Sequence, residues 1–195
     1  MDDVFAIYCS SIVLSEQKTK ATLQEMLLNE NYYFFALSED KKIIGISVIY
    51  APTYLDYCLL EYLAIDANKR NGGYGGKFLS MLIKEFKNNN IIIEIDSPYE
   101  ESQEQVLRQK RMGFYARHGF VYIEGLRYIL PLKGHGQTPP EMILMLCSNI
   151  YKASVPKAKI NSWLNDIYVS VYGCKPNDSR IEEMLGGLCR DVVLR

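Results

Sequence analysis

The stretch "KRNGGYGGK", Lys69 to Lys77, puts four glycines into nine residues. Strand-like residues precede it and helix-like residues follow it. Glycine costs conformational entropy in a fixed loop, so such a cluster marks a place where the backbone must come close to another segment or to a ligand. Where a strand turns into a helix, one ligand class fits well. The first amides of a helix have no intrahelical partner, and the helix dipole favours negative charge there. A phosphate or pyrophosphate suits such a loop.

Outward from the loop, the pattern is that of an α/β chain. "NYYFFAL" (31–37) and "IIGISVIYA" (43–51) read as two strands joined by the polar turn "SEDKK", a hairpin. "CLLEYLAID" (58–66) is a third, apolar strand interrupted by Glu61. After the loop, Phe78, Leu79, Leu82, Ile83 and Phe86 recur at helical spacing. "IIIEID" (91–96) reads as a buried strand, and residues 100–119 as a helix that Gly119 ends. "FVYIEG" and "MILMLC" (142–147) read as two more strands. Helices are expected at 2–10 and at 15–29, the latter capped by Ser15. The tail from about Ser148 reads as helical, with Trp163, Leu164, Ile167, Tyr168 and Val171 near helical spacing. This order predicts a mixed, mostly antiparallel sheet flanked by helices.

Composition narrows the function. The 195 residues suit one domain, or one with a short extension, and the formal net charge of −1 argues against a nucleic-acid binder relying on bulk charge. No apolar run approaches the ~20 residues of a membrane span. The N-terminus "MDDVFAIYCS" lacks the basic-then-apolar order of a signal peptide, so a soluble, cytoplasmic protein is expected. Cys9, Cys58, Cys147, Cys174 and Cys189 are scattered and odd in number, which speaks against a disulfide framework or a zinc site. With only His118 and His135 besides, no metal is expected.

Three phosphate-loop patterns can be tested on the letters. The P-loop fails, because Asn71 stands where its first glycine belongs and Phe78 where Ser or Thr belongs. The dinucleotide fingerprint loses its third glycine to Phe78. The third pattern, [QR]-x-x-G-x-[GA], is matched in full by Arg70-Asn71-Gly72-Gly73-Tyr74-Gly75. With "LEYLAID" before it and "GFYARHGF" some forty residues later, the chain resembles the GNAT acetyltransferase superfamily over residues 3–147, and its bacterial members most.

The resemblance implies a GNAT-like sheet, splayed between the strands at 58–65 and 91–96, in a domain spanning 1–147 that lacks the family's first strand. Residues 148–195 would then be a helical extension packed on the domain or on a partner chain, a homodimer being one form. It implies acetyl-CoA as co-substrate. Leu63, Ala64 and Ile65 would hold the pantetheine arm beside a bulge near the end of "EYLAI". Arg70, Asn71, Gly72, Gly73, Tyr74, Gly75 and Gly76 would hold the pyrophosphate, with Lys77 adding charge and Tyr74 only packing. Tyr115 takes the general-acid position. A phenol of pKa about 10 can protonate a thiolate of pKa about 8.5. Glu61 is the candidate base or amine anchor, with Glu94 and Asp96 as rivals and a solvated or structural role as the plain alternative.

Two positions depart from the family. Arg108 stands where an Asn contacts the CoA arm, and Arg111 where a small Ala is common. Both arginines, with Glu100, Glu101 and Glu104, suit a helix-surface charge network. The function expected is N-acetyl transfer to a small-molecule or peptide amine by direct attack. A non-catalytic CoA-binding module and an interaction protein built on the tail are the alternatives. The acceptor pocket would draw on "SSIVLSEQ" and "GHGQTPPE", neither of diagnostic composition.

Overall fold

In the computed structural model, residues 2–12, 14, 17–131 and 141–195 are described. They form two compact units, residues 1–87 and 88–195. Each is built on antiparallel strands flanked by helices, so the fold is mixed α/β and mostly antiparallel, as the sequence predicts.

The first unit contains α1 (Asp2–Ser11), α2 (Lys20–Leu27), β1 (Tyr32–Glu39), β2 (Lys42–Tyr50), β3 (Tyr57–Ile65) and α3 (Tyr74–Glu85). The strands form a meander, β1-β2-β3. Asp40 and Lys41 close the hairpin with φ of 48° and 67°, the left-handed pair that a two-residue turn between twisted strands requires. α2 is shorter than the predicted 15–29. Ser15 lies outside the described residues, and the cap is Thr19, whose side chain accepts from the Thr22 amide. Ile7 and Tyr8 of α1 meet Ile46 and Ala64 in the core, with Leu23 and Tyr62 packed against them. α3 lies against β3, burying Phe78, Leu79 and Leu82. At its end Phe86 packs edge-on to Tyr33 and Phe35 of β1.

The β2–β3 ladder carries one irregularity. Val48 faces Tyr62 and Ile49 faces Leu60, so Glu61 is an extra residue with no partner across the ladder. The bulge therefore stands at the front of "EYLAI", not near its end as the resemblance implied.

The second unit contains β4 (Asn90–Asp96), α4 (Gln105–Ala116), β5 (Val121–Tyr122), β6 (Met142–Cys147), β7 (Ser154–Pro156), α5 (Lys157–Asp166), α6 (Ser179–Gly186) and β8 (Asp191–Val193). Its strands run β4-β6-β5, with β7 and β8 as a separate pair. The tail is thus not wholly helical. Besides α5, a π-helical stretch at Ile167–Val171 and α6, it supplies two strands. Its last residues also pair with the chain after α4. The Tyr122 amide donates to the Arg195 carbonyl at 2.7 Å and the Arg195 amide returns to Tyr122 at 3.0 Å. That segment is a strand only over Val121–Tyr122 and bends at Gly125, φ 75°. Trp163, Ile160, Leu164, Ile167 and Tyr168 are fully buried.

Gly119 ends α4 at φ 87°, and the Phe120 amide reaches back to the Tyr115 carbonyl at 3.2 Å. A Cβ on Gly119 would meet nothing closer than the Cys147 sulfur at 4.0 Å. Gly119→Ala therefore isolates the backbone cost, and is expected to lower stability by ~1–2 kcal/mol. That is a fall in Tm of roughly 2–8 °C, to be read by thermal unfolding.

Candidate functional site

In the first unit, β3 leads into the glycine loop. Asp66 accepts from the Asn68 amide at 2.8 Å, closing the turn at Ala67–Lys69. Arg70 is extended, Asn71 is left-handed at φ 64°, and Gly73 is left-handed at φ 78°, ψ −1°. Tyr74 then begins α3, whose first backbone bond runs from the Lys77 amide to the Gly73 carbonyl at 3.1 Å. No side chain caps this helix, which leaves the amides of Tyr74, Gly75 and Gly76 without an intrahelical acceptor. A left-handed residue stepping into a right-handed helix is the conformation that gathers amides into an anion-binding concavity. A Cβ at Gly73 would meet no atom within 4 Å, so space is open beside these donors.

The cationic neighbours are anchored. The Arg70 guanidinium donates to the Ile65 carbonyl and to Ser11 Oγ, both at 3.1 Å, tying the loop to the end of β3 and to α1. Lys77 lies over the Tyr74 ring, 5.9 Å from its centroid. Tyr74 does more than pack. Its hydroxyl donates to Glu39 Oε1, while Lys69 Nζ holds Glu39 Oε2 at 2.5 Å. Gly72 lies under that ring, where a Cβ would stand 2.8 Å from Cε2. Leu63, Ala64 and Ile65 follow the bulge in β3, facing Ser47, Ile46 and Gly45 across the ladder.

Glu61 reaches Lys18. Lys18 Nζ is 3.0 Å from Glu61 Oε2, and the two side chains are 22% and 5% exposed. Glu61 Oε1 is buried with no hydrogen-bond partner among the described residues. Lys18 also lies over the Tyr62 ring at 5.6 Å, and its amide donates to Tyr8 Oη at 2.7 Å. No sequence motif flags Lys18, because its partner is 43 residues away. Of the stretches expected to line an acceptor pocket, Val13, Ser15, Glu16 and residues 134–140, His135 among them, lie outside the described residues. Under α1 and α2 an apolar cavity of about 260 Å³ is lined by Phe5, Leu23, Phe34, Ala36, Ile46 and Val48.

In the second unit, Tyr115 sits half-buried on α4, edge-on to Phe114 at 5.2 Å and to Phe120 at 5.5 Å. Burial raises its pKa above 10.0, and the positive charge of Arg111 one turn earlier works against that. The two rival carboxylates are engaged. Glu94 accepts from the hydroxyls of Tyr128 and Tyr172, and Asp96 accepts from Arg111 at 2.8 Å. Arg108 pairs with Glu100 at 2.5 Å, so part of the expected charge network on α4 is present. Among the described residues no group of three His, Cys, Asp or Glu could hold a metal, and no helix is long and apolar enough to cross a membrane.

A family model for the acetyltransferase (GNAT) domain matches residues 30–122, from the start of the meander through α4 to β5. A candidate GNAT-family acetyltransferase from Bacteroides thetaiotaomicron is 26% identical, with a TM-score of 0.73 over 89% of this chain and 92% of that one. The chain is thus similar to acetyltransferases of the GNAT superfamily. A Bacillus subtilis (strain 168) protein, YjbC, named as a candidate acetyltransferase, is 28% identical over 59% of this chain, and the match spans only 55% of that relative's length. The fold is also that of a Bacillus subtilis acetyltransferase solved in complex with CoA, at 14% identity and a TM-score of 0.53, over 76% of this chain and 92% of that one.

The Glu39 cluster beside the loop gives a pH prediction. Hydrogen bonds from Lys69 and then Tyr74 hold its carboxyl below the ordinary 4.5. A depressed carboxylate contributes stability that is full above 4.5 and is lost as pH falls through its folded value. Glu39→Gln should therefore be less stable than the parent near neutral pH, and the gap should close in acid below that value. Urea unfolding at a series of pH values reads this directly.

Proposed function

We propose that the chain transfers an acetyl group from acetyl-CoA to the primary amine of a small molecule or peptide. The observation that carries this is the start of α3. Uncapped helix amides, a left-handed Gly73 and open space beside it follow directly on a bulged strand. That arrangement suits a pyrophosphate, and the relative solved with CoA supports the same ligand. Amides from Asn71 to Gly76 meet the phosphates, with Arg70 and Lys77 adding positive charge. Leu63, Ala64 and Ile65 hold the pantetheine arm by their backbone. An amide just past the bulge faces the thioester carbonyl, where a fixed donor stabilises the charge that develops on attack.

Glu61 takes the proton that makes the acceptor amine nucleophilic. Of the three candidate carboxylates it is the one with a buried oxygen left open, since Glu94 and Asp96 are held by tyrosines and an arginine. Tyr115 returns a proton to the departing thiolate. Its raised pKa keeps it protonated across the working range, and Arg111 offsets the cost of the phenolate. A half-buried phenol that stays protonated also suits a CoA-binding module without turnover, which is the second reading.

Tyr115→Phe separates the two. Loss of a positioned general acid should lower kcat by about 10²-fold or more, with acetyl-CoA affinity unchanged by calorimetry. An unchanged rate would remove Tyr115 from the chemistry, and no thiol release with any amine would favour the module. Glu61→Gln should depress the rate and flatten its dependence on pH. An unaltered rate and profile would remove Glu61.

A further inference from the structure

The Lys18–Glu61 pair is the one place among the described residues where a primary amine sits on a buried carboxylate of the proposed machinery. The bulge brings it about. With two residues opposed to one, Glu61 and its neighbour Tyr62 both address the same ammonium, one by an ion pair of 3.0 Å and the other by its ring face at 5.6 Å. The arm is fixed at its root. Tyr8 Oη holds the Lys18 amide at 2.7 Å, and the Gln17 side chain donates to the carbonyls of Cys9 at 2.9 Å and Ile12 at 2.7 Å. A carboxylate and an aromatic face are the two groups that recognise an ammonium. Lys18 thus occupies a formed cation site on the strand that carries the proposed thioester amide. It remains 22% exposed, against 5% for Glu61.

We propose that Lys18 is itself an acetyl acceptor, so that the enzyme modifies its own chain when no external amine displaces this ammonium. The proposal rests on the reading of Glu61 as base. One ammonium proton passes to Glu61 and on to water. The freed Nζ bonds the acetyl carbonyl carbon, the carbon–sulfur bond breaks, and the second proton ends on the leaving thiol. An ammonium and a thioester become an amide, a thiol and a released proton, with no change of oxidation state. The product is neutral and cannot pair with Glu61, so one turnover removes the cation from its site. The external acceptor inferred from the same site is a primary ammonium on a flexible aliphatic arm, such as a lysine side chain.

The test is peptide mass spectrometry of the full chain incubated with deuterium-labelled acetyl-CoA and no added amine. Labelling of Lys18 should be at least tenfold faster than that of Lys20, Lys84 or any other lysine. It should drop at least tenfold in Tyr115→Phe and to the common background in urea-unfolded chain, and Lys18→Arg should carry no label at that position. A primary alkylamine should slow the labelling by competing for Glu61. Lys18 left unlabelled, or labelled at the rate of the other lysines, or labelled equally in Tyr115→Phe, overturns the proposal. Thiol release measured with an amine panel in the same samples separates the two failures. Release without Lys18 labelling sinks self-acetylation alone, and absence of both sinks the acetyltransferase reading as well.

Discussion

One residue too many in β3 sets the chemistry of the first unit. A regular ladder would alternate Leu60, Glu61 and Tyr62 across the two faces of the meander. The slip at Glu61 breaks that alternation and lets a carboxylate and a tyrosine ring serve the same lysine. It also makes a polar residue tolerable in an otherwise apolar strand. A buried carboxylate is costly unless paired, and Lys18 supplies the pair. The core formed by Ile7, Tyr8, Ile46 and Ala64 holds α1 against this strand, and Tyr8 in turn fixes the backbone of Lys18. Packing and electrostatics at this point are one construction.

The environments of three carboxylates show how context divides similar residues. Glu94 has each oxygen on a tyrosine hydroxyl, one from the tail, so it ties Tyr172 to β4. Burial, then the charge of Glu94, pushes the Tyr128 phenol well above its ordinary range, leaving it a permanent donor. Asp96 shares its charge with the half-exposed Arg111, a pair of small energetic worth. Glu61 alone keeps a buried oxygen open.

Local rules made much of the fold legible. The apolar spacing of α3, the hairpin between β1 and β2, the glycine that ends α4 and the loop from Arg70 to Gly75 all depend on residues close in sequence, and all appear where the letters put them. What the letters did not show depends on pairings between distant segments. The register slip at Glu61 is a property of β3 against β2, and no residue type announces it. Lys18 meets Glu61 only because α1 lies over β2 and β3. The tail read as helical because Trp163 to Val171 have helical spacing. Its strands at 154–156 and 191–193 are three residues each, too short to show a period, and they exist because each finds the other. Tyr74 looked like packing because its acceptor, Glu39, belongs to the far end of β1.

The central claim is that the start of α3 receives the pyrophosphate of CoA. A crystal structure of the chain grown with CoA tests it most directly. Pyrophosphate oxygens should lie within hydrogen-bond distance, about 2.7–3.2 Å, of amides between Asn71 and Gly76, with the pantetheine arm running along Leu63 to Ile65. A pyrophosphate seated elsewhere, with those amides turned to solvent, would contradict it.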